Sequence, residues 1–172
     1  MLQKISEGRI SMIRAVEERD IGALTELYNY YIQNTTFTLE LEPLSEQVFG
    51  ERVRAISARF PYLVYEEEGQ VLGYAYLNDF NPRGGYRFTV DLSLYVSPSA
   101  RGRGLGRALY AEIEQMARDR GFCNIISLIT SENEASLAFH DALGFERVAR
   151  IDDIAFKFDR WLGLCYCIKR IK

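Results

Sequence analysis

The stretch from Tyr86 to Arg120 constrains the fold more tightly than any other part of the chain. Phe88, Val90, Leu92, Leu94 and Val96 alternate with Arg87, Thr89, Asp91, Ser93 and Tyr95, a period of two that predicts a strand over Tyr86–Ser97. Arg101-Gly102-Arg103-Gly104-Leu105-Gly106 follows directly. Leu105, Leu109, Ile113 and Met116 then recur at helical spacing, so a helix is expected from about Gly104 to Arg120, with Gly121 beyond its end. Glycines in such a turn let the backbone approach a ligand, because no Cβ intervenes. The N–H groups that open the helix point outward, and its dipole favours an anion. Arg101, Arg103 and Arg107 add positive charge, and a pyrophosphate suits the segment best. The turn lacks the lysine of a Gly-x-x-x-x-Gly-Lys-[Ser/Thr] loop. The half-polar strand before it also argues against a dinucleotide fingerprint, whose first strand is buried on both faces.

The 172-residue sequence as a whole is read as one α/β domain over residues 12–172, preceded by a short N-terminal extension over residues 1–11, with Met12 as an alternative start. No apolar run approaches the roughly 20 residues that span a bilayer, and the first residues lack the apolar block of a signal peptide, so a cytoplasmic location is expected. The formal net charge of −3 gives no push toward nucleic acid, and no basic amphipathic segment suggests a membrane surface. Cys123, Cys165 and Cys167 form neither a disulfide framework nor a zinc spacing, and a single histidine offers no metal cluster. Cys165 and Cys167 should pack on one strand face.

Other elements follow from periodicity and capping. Met12–Val16 reads as a strand, with Asp20 as N-cap of a helix carrying Ile21, Leu24, Tyr28, Tyr31 and Ile32. A second helix starts after Ser45, shows Phe49, Val53, Ile56 and Phe60 on one stripe, and stops at Pro61. Strands are expected over Tyr62–Glu67 and Val71–Phe80, joined by a turn at Glu68-Gly69-Gln70. Asn124–Thr130 reads as a buried strand. Ser131-Glu132-Asn133-Glu134 opens a shorter helix that Gly144 closes, and Phe145–Ile151 and Trp161–Ile171 supply the last strands. The order β-α-α-β-β-β-α-β-α-β-β makes a mixed α/β layer with helices on the sheet faces.

Two blocks of this pattern resemble one family. Arg101-x-x-Gly104-x-Gly106, after Leu94-Tyr95-Val96-Ser97-Pro98, is similar to the [Gln/Arg]-x-x-Gly-x-[Gly/Ala] signature of the GNAT acetyltransferases. Asn133-x-x-Ser136-x-x-x-His140-x-x-x-Gly144-Phe145 resembles that family's second block. The resemblance covers nearly the whole chain and narrows to the phosphinothricin and methionine sulfoximine acetyltransferase subgroup. Supporting residues are Asn34-Thr35-Thr36-Phe37, Tyr86-x-x-Thr89-x-Asp91-x-Ser93, Phe139-His140-Asp141 and Phe156-Lys157-Phe158-x-x-Trp161-Leu162. Histidine at 140, where the wider family often has tyrosine, is the subgroup's choice.

The resemblance implies a GNAT acyl-CoA acyltransferase fold: a mixed, mostly antiparallel sheet with helices on both faces and a splayed gap between the fourth and fifth strands. It implies acetyl-CoA as cosubstrate, no metal, and a small amino-acid-like amine as acceptor. Leu94, Tyr95 and Val96 would hold the pantetheine arm in the manner of an added strand. Arg101, Gly102, Arg103, Gly104, Leu105, Gly106 and Arg107 would take the pyrophosphate, with Asn133 and Ser136 lining the cofactor. A backbone N–H near Val96 would meet the charge on the thioester oxygen. Asp91 stands where the subgroup has a glutamate that looks like the general base, and His140 would serve as base for the amine or acid for the CoA thiolate. Phe37, Arg83, Tyr86, Arg87, Thr89 and Lys157 are the acceptor-side candidates, either arginine being suited to a carboxylate or phosphinate. The plainer readings stand beside these: Asp91 as a solvated strand carboxylate, His140 as a surface histidine, the arginines as solvated charge, Phe37 and Tyr86 as core or rim. Gly163 departs from the subgroup, which commonly has aspartate there. The subgroup also tends to dimerise. An acetyltransferase for a polyamine, aminoglycoside or protein N-terminus, and a non-catalytic CoA-binding module, are the alternatives.

Overall fold

Glu68 and Gly69 both have positive φ, 50° and 81°, and close the hairpin between strands Tyr62–Glu67 and Gln70–Asp79. Left-handed values at both central residues give the turn a twist that matches the flanking strands. The computed structural model describes residues 2–6 and 9–172, and side chains from Ile10 onward. Its strands are β1 (Leu2–Ser6), β2 (Arg9–Ala15), β3 (Tyr62–Glu67), β4 (Gln70–Asp79), β5 (Thr89–Val96), β6 (Asn124–Thr130), β7 (Glu146–Lys157) and β8 (Arg160–Arg170). Its α-helices are α1 (Ile21–Asn34), α2 (Glu46–Ser57), α3 (Leu105–Asp119) and α4 (Glu134–Ala142). The chain divides into two compact units, Met1–Tyr28 with Leu44–Asn78 and Ser93–Arg120, and Asn29–Pro43 with Asp79–Leu92 and Gly121–Lys172.

In the first unit β1, β2, β3 and β4 pair antiparallel in sequence order. The end of β5 joins β4 through the Ser97 N–H, which donates to the Leu72 carbonyl at 2.7 Å. Ser45 caps α2 by accepting from the Val48 N–H. Tyr28 of α1 stacks on Phe49 of α2 at 5.1 Å and meets Tyr95 of β5 edge-on at 5.4 Å. Leu105, Leu109, Tyr110, Ile113 and Ala117 form the buried stripe of α3, with Met116 only half-buried at its margin. A charged node sits beside this core. Arg14, 5% exposed at its side chain, forms a two-pronged pair with Asp20 and also reaches Glu66.

In the second unit the start of β5 runs parallel to β6, pairing Thr89–Asp91 with Asn124–Ile126. Antiparallel β8 and then β7 follow on the other side of β6. Cys165 and Cys167 are both buried, as their spacing on β8 requires. Among the described residues no helix is long and apolar enough to cross a membrane.

Four expectations change. Strands occupy residues 2–6 and 9–11, so pairing begins inside the segment read as an extension. Asp20 is the last residue of a 3-10 turn over Glu18–Asp20 and caps from within it, its Oδ2 accepting from the Glu17 N–H. Residues Gly84–Tyr86 form a 3-10 turn, delaying β5 to Thr89. The Arg87 guanidinium closes that turn on the Gly84 carbonyl, at 3.2 Å. Finally, β7 runs to Lys157 and not Ile151, because Phe158 and Asp159, φ 53° and 56°, make a two-residue hairpin turn into β8.

Candidate active site

The phosphate-loop candidate lies wholly in the first unit. Ala100 and Leu105 are buried against Leu72, with Tyr65 and Val96 packed beside them. These apolar feet hold both ends of the arch Arg101–Gly104. Gly102 and Gly104 have φ of 75° and 84°, and no atom lies within 4 Å of a Cβ built on either. A side chain at these positions would strain the backbone and occupy the space that a phosphate needs. Gly104 is the N-cap of the 15-residue α3. The first N–H groups of a helix have no partner within it, and its dipole is positive there. Arg101 and Arg107 are exposed beside this start. The donors, the glycine arch and the positive charge therefore fit a pyrophosphate.

In the second unit, Asp91 lies on β5. Its Oδ1 is buried with no hydrogen-bond partner among the described residues. Burial pushes the carboxyl up to about 7, against a smaller opposing effect of the Leu92 N–H. A carboxyl that titrates near neutrality and has one buried oxygen without a partner is suited to take and release a proton. The reading of Asp91 as an ordinary solvated carboxylate does not survive this placement.

His140 is only 6% exposed, which removes the surface-histidine reading. Its ring meets Phe139 and Phe145 edge-on, at 5.4 Å and 4.9 Å. Nδ1 lies 2.8 Å from the Ser136 carbonyl and 3.4 Å from its Oγ. The carbonyl accepts only if Nδ1 carries the proton, and burial lowers the pKa of the ring, so the neutral form is favoured. Asn133 caps α4, its Oδ1 accepting from the Ser136 N–H at 3.2 Å. One short helix thus fixes Asn133, Ser136 and His140 relative to one another.

The acceptor-side candidates fall into two groups within this unit. Arg83, Tyr86 and Arg87 sit together on or beside the 3-10 turn, all exposed, with Tyr86 edge-on to Phe80 at 5.6 Å. Arg87 lies over Phe88 at 4.4 Å. Thr89 is tied to β6 through Asn124, whose Nδ2 donates to its Oγ1 at 3.1 Å. Phe37 and Lys157 form the second group. Lys157 is 3% exposed and donates to the Thr38 carbonyl at 2.9 Å, and burial lowers its pKa. On the other side of Phe37, the Thr36 hydroxyl donates to Glu132, which Arg160 grips with both nitrogens. Two buried threonines thus pin the segment and leave the Phe37 ring outward, 36% exposed. The contact between Glu132 and Thr36 escaped the sequence reading. They are 96 residues apart, and no local pattern links them.

A side chain at Gly163 would require two neighbouring side chains to shift. A Cβ there would lie 2.7 Å from Ser131 Oγ and 2.9 Å from Asp152 Oδ1. The Ser131 N–H donates to the Gly163 carbonyl at 2.9 Å, so the backbone cannot simply move away.

Comparison with known proteins places the chain in a family. The acetyltransferase (GNAT) domain model matches residues 13–163. The chain is 36% identical over 158 residues to the L-amino acid N-acyltransferase MnaT of Escherichia coli, covering 90% of each protein. It is 35% identical over 158 residues to an L-methionine sulfoximine/L-methionine sulfone acetyltransferase of Salmonella typhimurium, covering 90% of this chain and 91% of the relative. A crystal structure of a phosphinothricin acetyltransferase from Sinorhizobium meliloti, in complex with AcCoA, superposes with a TM-score of 0.89 at 36% identity, covering 93% of this chain and 88% of that one. The match over 151 residues (163 − 13 + 1), the fold and the relatives converge, and this chain belongs to the GNAT family of acetyltransferases.

Proposed function

We propose that this protein moves an acetyl group from acetyl-CoA to the amine of a small amino-acid-like acceptor, of the phosphinothricin, methionine sulfoximine or methionine sulfone type. The unpartnered, buried Oδ1 of Asp91 carries the mechanistic part of this reading. An alkylammonium of pKa near ~10 is protonated at neutral pH and must lose a proton before its nitrogen attacks a thioester. Asp91 accepts that proton, directly or through a water. Acetyl-CoA supplies the activated acyl group, and the new C–N bond forms as the C–S bond breaks. His140, neutral and held at Nδ1 by Ser136, orients the α4 side of the site and is the second candidate for proton transfer. Arg101, Gly102, Gly104, Leu105, Gly106 and Arg107 hold the pyrophosphate. Leu94, Tyr95 and Val96 line the pantetheine, and Asn133 and Ser136 are the cofactor-side candidates of the second unit. Phe37 walls the acceptor on a segment that Lys157 holds through the Thr38 carbonyl, while Arg83 and Arg87 supply charge for its anionic group and Tyr86 and Thr89 its polar rim.

Thiol release from acetyl-CoA over a panel of amines tests the acceptor class. Phosphinothricin, methionine sulfoximine and methionine sulfone are expected to turn over, and spermidine and a peptide N-terminus are not. Turnover confined to the last two would overturn the acceptor assignment while leaving acetyl transfer in place.

A cytoplasmic homodimer is the assembly proposed. The β7–β8 hairpin supports it, exposing Ile151, Ile154, Phe156, Phe158 and Trp161 at 42–60%. Apolar side chains gathered on one element mark an interaction surface. Sedimentation is expected to give twice the chain mass, and Trp161→Glu to give the monomer. A wild-type chain that sediments as a monomer at all concentrations would exclude the dimer.

A further inference from the structure

Glu66 and Glu67 end β3, and successive strand residues point to opposite faces. Each of the two carboxylates captures an arginine of the first unit. Glu66 takes Arg14. Glu67 accepts from Nη2 of Arg103 at both oxygens, at 2.8 Å and 2.6 Å. The Glu67 side chain is 11% exposed and that of Arg103 38%, so the pair is partly shielded from water. Arg103 sits at the crown of the arch whose feet are Ala100 and Leu105. Between the feet, the space beside Gly102 and Gly104 at the Cβ position is open to 4 Å beyond their chain neighbours. The Glu67–Arg103 pair crosses from the end of the β3–β4 hairpin to that crown.

We propose that Glu67 is a positioning residue for the cofactor loop, neutralising Arg103 and tying the arch to β3 so that its backbone donors are ordered before the ligand arrives. The inference rests on the reading of Arg101–Gly106 as the pyrophosphate site. In this account Arg103 is a strut and not a phosphate ligand, and the attracting charge comes from Arg101 and Arg107. Ordering a loop in advance strengthens binding by removing an entropic cost that the ligand would otherwise bear. A partly exposed ion pair holds such a strut modestly, so the effect on affinity is about three- to fivefold.

The test is the dissociation constant of CoA, by calorimetry, for the wild-type chain, Glu67→Gln, Arg103→Gln and the double variant. Each single variant is expected to bind about three- to fivefold more weakly, and the double variant no more weakly than either. In turnover, KM for acetyl-CoA rises while kcat at saturation holds. Binding by Glu67→Gln that equals or exceeds wild type overturns the proposal. A tighter Kd would make Arg103 a phosphate ligand that Glu67 restrains. A lower melting temperature with an unchanged Kd would make the pair purely structural. The underlying pyrophosphate reading fails separately, if Arg101→Gln/Arg107→Gln binds CoA as wild type does or if the wild-type chain binds none.

Discussion

Asp91→Asn removes most of the turnover and, at the same time, makes the protein more stable above neutral pH. The first half follows from the proposed role of the carboxylate, since loss of a positioned general base costs about 10²–10⁴-fold in rate. The second half follows from its burial. The unfolded chain releases this proton near 3.8, whereas the folded chain holds it to about 7. A carboxyl whose pKa is raised by folding stabilises the native state only while protonated. Stability is therefore lost as pH rises between 3.8 and about 7, by roughly 4 kcal/mol at the limit. Asparagine has no charge to bury. The variant should melt several degrees above wild type at pH 8 and level with it below pH 4, at roughly 2–4 °C per kcal/mol for a chain of this size. Wild-type kcat should fall about tenfold per pH unit below 7, a limb absent in the variant. Melting curves and thiol release at matched pH check both halves. Full activity in Asp91→Asn would remove Asp91 from the chemistry.

Asp20→Ala is expected to be the most damaging substitution for stability. Burial alone would raise the Asp20 carboxyl, but hydrogen bonds from Arg14 and the Glu17 N–H outweigh it and hold the group below its ordinary range. The guanidinium of Arg14 is raised in turn, chiefly by Asp20. Alanine would leave a buried guanidinium with Glu66 as its remaining carboxylate and would remove the cap on Glu17. Breaking a buried pair from one side costs on the order of 3 kcal/mol, a fall of about 6–12 °C in melting temperature here. Asp20→Asn keeps a cap and loses only the charge, so it should fall between. Because the Asp20 pKa is depressed, its contribution is complete above about 4 and disappears as pH falls through the folded value. A denaturation series from pH 7 to pH 2 should show the wild-type chain converging on the variant at the acid end. No difference at pH 7 would mean that the node contributes nothing net.

Both effects rest on contacts that the sequence reveals unevenly. β6 was legible residue for residue, because a buried strand between turn signals leaves few alternatives over Asn124–Thr130. The phosphate arch was legible too, since positive φ at Gly102 and Gly104 is a local demand that glycine advertises. β7 was not. Its residues Glu146–Ile154 are all exposed, so they carry no inward and outward alternation, and its hairpin turns through Phe158-Asp159 instead of an asparagine–glycine pair. The start of β5 was misplaced for the opposite reason. Phe88 and Arg87 continue the alternation of the strand, yet the backbone there is already committed to the Gly84–Tyr86 turn.

At the site, residue types were readable and their states were not. Sequence identifies Asp91 and His140 as candidates through a family resemblance, but the orphaned oxygen of one and the aromatic packing of the other depend on long-range burial. Lys157 reads as charge available to an acceptor, whereas the structure buries its ammonium against the Thr38 carbonyl, 119 residues away. Glu67 and Arg103 are separated by 36 residues, and no motif connects the end of a hairpin to the crown of a loop. Such pairs arise from where the strands bring their ends.

The most direct test of acetyl transfer with Asp91 as base is mass spectrometry of the acceptor after incubation with acetyl-CoA and L-methionine sulfoximine, for wild type and Asp91→Asn side by side. The account predicts N-acetylated product in stoichiometric balance with released CoA for wild type, and a yield reduced at least about 100-fold by the variant although it is the more stable protein. Absence of acetylated product from this and the other amino-acid-like amines would contradict the function. An equal yield from both proteins would contradict the mechanism.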